Sequence, residues 1–73
     1  MNSVSSLIPI RATIDRIAEA TDEGDLRYRL GYAEGSLTTL WLERLIDDDT
    51  FHGLRARLQV THHKAARVLG VPI

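Results

Sequence analysis

The most constraining stretch of this 73-residue chain is "LIDDDTF", residues 45–51. Asp47 is suited to cap a helix, because its carboxylate accepts an orphan backbone N–H of the first turn. Ile46 and Phe51 then flank the cap at the two positions that pack together as a hydrophobic staple. Asp48 and Asp49 fall in the first turn, where the helix dipole favours negative charge. Calcium binding is the weaker reading of these acids, since a calcium loop needs alternating ligands and a glycine that the run lacks. A cap here leaves almost no loop, so two long helices joined at this point must lie antiparallel.

Apolar spacing supplies those helices. Upstream, Leu26, Leu30, Ala33, Leu37, Leu40 or Trp41, and Leu45 form one helical stripe. Downstream, Phe51, Leu54, Leu58, Thr61, Ala65 and Val68, with Leu69 alongside, alternate at three and four like a heptad seam. A shorter first helix carries Ile10, Ile14, Ile17 and Ala18, with Ser6 as its cap and Pro9 in its first turn, where a missing N–H costs little. Gly24 ends that helix or sits in the following turn, and either Thr21 or Asp25 caps the next. The expected fold is all-α: one domain over residues 1–73, with a flexible start at 1–6, helices at 7–23, 25–46 and 48–69, and a tail at 70–73. A short N-terminal helix is thus followed by a long antiparallel hairpin, and the expectation extends to self-association into a helical bundle.

The closing stretch "THHKAARVLGVPI" carries an Ala-Ala pair and a Leu-Gly-Val that resemble the first helix and turn of a helix-turn-helix. The likeness spans about ten residues, and no groove-reading helix follows it. The same residues read more simply as a helix end. Gly70 suits the left-handed position after the last turn, Val71 folds back on that turn, and Pro72 blocks continuation.

A chain of this size buries only about 60% of its unfolded surface, so a lone fold is marginal. With no cysteine, disulfides and thiolate zinc sites are excluded, and self-association remains as the expected aid. The absence of cysteine fits a reducing cytoplasm. The start, "MNSVSSLIPI", lacks the basic residue of a signal peptide, and no apolar run approaches a membrane span. Arginine outnumbers lysine eight to one, which suggests a GC-rich bacterial, phage or plasmid genome. The net charge of −1 hides an asymmetry: residues 1–49 hold ten acids and five arginines, giving −5, whereas residues 50–73 hold four bases and no acid, giving +4. Such a split implies either a basic binding face or pairing between elements.

The second segment has a further face. At about 100° per residue, Tyr28, Gly31, Gly35, Thr38, Thr39, Leu42 and Ile46 share an arc outside the core stripe. Gly31 and Gly35 each cost a helix about 1 kcal/mol relative to alanine. Their spacing of one turn removes side chains from one patch and would let another backbone approach closely. Helix one and a second copy of the chain are both expected to cover this arc, so Tyr28, Gly31, Gly35, Thr38, Leu42 and Ile46 are the candidate interface.

Catalytic chemistry has little to stand on. Ser36 has no histidine–acid pattern on its helix face, and Glu34 and Glu43 do not share one. Adjacent His62 and His63 point about 100° apart, and His52 lies three turns away, so no metal site and no cofactor are expected. The third segment offers Arg55, Arg57, His63, Lys64 and Arg67 as contacts to nucleic acid or to an acidic partner. Total charge disfavours nucleic acid, and none of Tyr28, Tyr32, Trp41 and Phe51 interleaves with those bases as a stacking platform. The function expected is therefore that of a small non-enzymatic regulator or adaptor: a cytoplasmic homodimer that binds a protein partner and masks or bridges it through helical faces. A nucleic-acid-binding hairpin dimer is the alternative.

Overall fold

The computed structural model describes residues 4–72, with side chains from residue 7 onward. Among them the fold is all-α: α1 (Val4–Asp15), a 3-10 turn (Arg16–Glu19), α2 (Glu23–Leu42) and α3 (Asp48–Leu69). The helices form a rod of 39 × 17 × 16 Å, in which α3 packs most extensively on α2 and α1 lies across both.

The joint between α2 and α3 forms as the aspartates dictate. Asp47 caps α3, its carboxylate accepting from the Thr50 N–H at 2.8 Å. Ile46 and Phe51 are both buried in the core. Trp41 stacks on Phe51 with ring centroids 4.2 Å apart, and its indole N–H donates to Asp48 at 2.7 Å. The stack and that bond fasten the end of α2 to the start of α3.

The turn itself is longer than the sequence suggests, and α2 stops at Leu42 rather than at residue 46. The N–H groups of Arg44 and Leu45 fold back to the carbonyls of Trp41 and Leu40, at 3.0 and 2.9 Å. This paired pattern satisfies the last carbonyls of a helix and requires a left-handed residue, usually glycine. Here that residue is Arg44, at φ 60°. Gly70 does the same at the end of α3, with φ 73° and with Val71 donating back to Ala66 at 2.8 Å.

The left-handed turn explains two corrections. Leu45, assigned to the core stripe, lies outside the helix and is exposed, whereas Ile46, assigned to the outer arc, is only 3% exposed. The 100° rule ceases to apply once α2 has ended, and the reversal at Arg44 turns Ile46 inward. Ile46 is therefore a core residue and not part of an interface.

Helix one also differs from its expected 7–23. It begins at Val4, so residues 4–6 are helical and Ser6 does not precede the helix as its cap; residues 1–3 of the expected flexible start lie outside the described residues. Pro9 consequently sits in the second turn, where its ring removes one intrahelical bond. After Asp15 the chain tightens to about three residues per turn. Ile10, Ile14 and Ile17 stay buried, but the tightening rotates Ala18 out to solvent. The cap of α2 is Asp22, neither Thr21 nor Asp25, and Gly24 lies inside the first turn of that helix. Asp22 accepts from the Asp25 N–H at 2.8 Å, and the Asp25 carboxylate accepts in return from the Thr21 N–H at 3.0 Å.

In α3 the heptad reading fails at its far end. Val68 is 87% exposed, while Ala66 is buried and Leu69 packs partly against the core. A straight helix makes about 3.6 residues per turn, so the contact line drifts by about 20° per heptad unless the helices supercoil. Counting from Phe51, Leu69 falls after five whole turns at that pitch, and Val68 points away.

Candidate interaction faces

The outward side of α2 is the most distinctive surface. Tyr28, Gly31, Tyr32, Gly35, Thr38, Thr39 and Leu42 are all exposed, and none bears a charge. Tyr28 is 69% and Leu42 70% exposed. Tyr28 and Tyr32 lie one turn apart with ring centroids 6.4 Å from each other. The face runs from Tyr28 to Leu42, a length of about 21 Å at 1.5 Å per residue. Charges keep to its margin, where Glu34 is exposed and Arg27 pairs with Glu23 at 2.6 Å.

Among the described residues, nothing covers the middle of this face. A Cβ placed on Gly31 or Gly35 would meet no atom within 4 Å, and neither glycine has a positive φ. The expectation that helix one closes over these glycines is thus corrected. Its isoleucines are committed to the core, which places α1 beside α2's flank. Only the edge of the face meets α1, in a groove of about 620 Å³ lined by Pro9, Ile10 and Thr13 on one side and Tyr32, Gly35 and Thr39 on the other.

The basic residues of α3 divide. Arg57 grips Asp15 through both nitrogens of its fork, at 2.9–3.2 Å, and so ties α3 to α1. Arg55 lines the α2–α3 groove with Glu34, Trp41 and Gln59. His63, Lys64 and Arg67 are exposed, and Lys64 and Arg67 form no ion pair among the described residues. The Arg57–Asp15 pair joins residues 42 positions apart, and only the unequal distribution of acids and bases hinted at it.

Arg29 serves the fold rather than a face. It bonds the Asp25 carboxylate at 3.0 Å and the Arg16 carbonyl at 3.1 Å, which binds the 3-10 turn to α2. The Arg29 guanidinium, and then the Thr21 N–H, hold the Asp25 carboxyl below its ordinary range.

Comparison with family models, with curated proteins and with solved structures finds no match to this chain. Among the described residues no helix is long and apolar enough to cross a membrane.

Proposed function

We propose that this chain is a non-enzymatic, protein-binding regulator or adaptor of the cytoplasm, and that the charge-free face of α2 is its contact surface. One observation carries the reading. Gly31 and Gly35 each cost an α-helix about 1 kcal/mol, and among the described residues no atom fills the room beside their Cα atoms. A second helix lying across the face would use it, and the tyrosines and Leu42 would supply apolar area around the crossing. A second copy of the chain is the first occupant, because a neutral face can pair with itself across a twofold axis without opposing like charges.

Gly31→Leu is the test, because it separates two outcomes by sign. In an isolated chain the new Cβ has open space around it and leucine replaces a poor helix former, so the melting temperature should rise. At a helix crossing the same side chain blocks close approach. The expected result, at about 500 mM salt where contacts between exposed charges are screened, is a dimer by light scattering for the parent chain and a monomer of undiminished helicity for the variant. A parent that is monomeric at high concentration, or a variant that dimerises equally well, removes this role from α2.

A further inference from the structure

We propose a second, different contact between copies of this chain, in which the outer face of α3 receives the acidic α2–α3 turn of a neighbouring molecule. The outer face of α3 combines exposed apolar and basic groups: Val60 is 55% exposed, Val68 stands clear of the core, and His63, Lys64 and Arg67 are exposed around them. From residue 50 to residue 73 there is no acid to neutralise them. The α2–α3 turn is the complement. Residues 43–49 hold Glu43, Asp47, Asp48 and Asp49 against Arg44, a net −3, and exposed Leu45 lies among them. The turn lies at the start of α3 and the basic face on its second half, with Lys64 and Arg67 about 22–27 Å along the axis from Asp49, so one chain cannot bring its own together. A second copy can, and its opposite charge and exposed leucine match what the face presents. Phosphate backbones would satisfy the bases but leave Val60 and Val68 against charge.

The contact is heterologous: each copy offers its turn to one neighbour and its α3 face to another. It therefore need not close at two copies. It is also electrostatic, unlike the neutral α2 face, so salt and Gly31→Leu act on different contacts and either proposal can fail without the other.

Sedimentation of the intact chain tests it at about 20 and about 500 mM salt, between which the screening length falls from about 20 to about 4 Å. In low salt the average mass should climb with concentration beyond a dimer, and high salt should weaken that growth by about tenfold or more. Gly31→Leu should leave the salt-sensitive growth in place. Lys64→Glu/Arg67→Glu and Glu43→Lys/Asp49→Lys, all at exposed positions, should each abolish it with helix content retained, and an equimolar mixture of the two double variants should restore it. The proposal is overturned by growth beyond the dimer that is indifferent to salt, by a parent that does not grow beyond the dimer in low salt, or by a mixture that fails to recover. It is overturned equally if the parent binds a short DNA duplex through Lys64 and Arg67 while showing no growth of its own.

Discussion

Arg44 is the residue whose backbone pays most visibly for the fold. Its left-handed φ of 60° closes the end of α2, at a position where glycine is the usual occupant. A side chain in that region costs about 1–2 kcal/mol, part of which glycine would return as lost freedom of the unfolded chain. Arg44→Gly should therefore stabilise the protein by about 1 kcal/mol, seen as a rise of about 4–8 °C in melting temperature for a domain of this size. An unchanged or lower value would mean that the arginine side chain contributes enough at the turn to offset its backbone. Gly70, already glycine at φ 73°, has no such gain available, and Gly70→Ala should destabilise.

Among the elements, α3 separates what a helix contributes from what a supercoil would. Leu58 is almost fully buried and Val68 almost fully exposed, although a strict heptad puts both on the seam. In urea titrations Leu58→Ala should cost about 2–5 kcal/mol, the range for deleting a well-packed core side chain. Val68→Ala should change stability by no more than about 0.5 kcal/mol. A large effect at Val68 in dilute monomer would place the contact line nearer the seven-residue repeat. The caps of α3 were legible because each is settled within one turn, whereas the cap of α2 was not, since Thr21, Asp22 and Asp25 all offer a side-chain oxygen near its start and Asp22 takes the role. Asp47, Gly70 and Val71 were identified from neighbours three or four positions away. The break between α1 and the 3-10 turn was not, since nothing local in Asp15 or Arg16 stops an α-helix; it serves the burial of Ile17 beneath α3.

For the whole molecule, α1 is held to the hairpin by its isoleucines and by the Arg57–Asp15 pair. Both partners are about half exposed, so solvent screens them. A double-mutant cycle of Arg57→Ala and Asp15→Ala should give a coupling of about 0.2–1 kcal/mol that shrinks as salt rises. A larger, salt-independent coupling would make the pair a structural clasp for α1. In a chain this small a modest term still matters, because total stability is itself only a few kcal/mol.

The sequence by itself determined that the chain is all-α, that α2 and α3 form an antiparallel hairpin hinged at Asp47, and that the neutral and basic faces lie on different helices. Those properties follow from hydrogen bonding and spacing over one or two turns. Tertiary structure alone decided that Ile46 turns inward and Leu45 outward, that Arg57 finds Asp15, and that α1 settles beside the face of α2 instead of over Gly31 and Gly35. Each depends on how rigid helices rotate and slide to fill a shared core, and short-range spacing does not encode that choice.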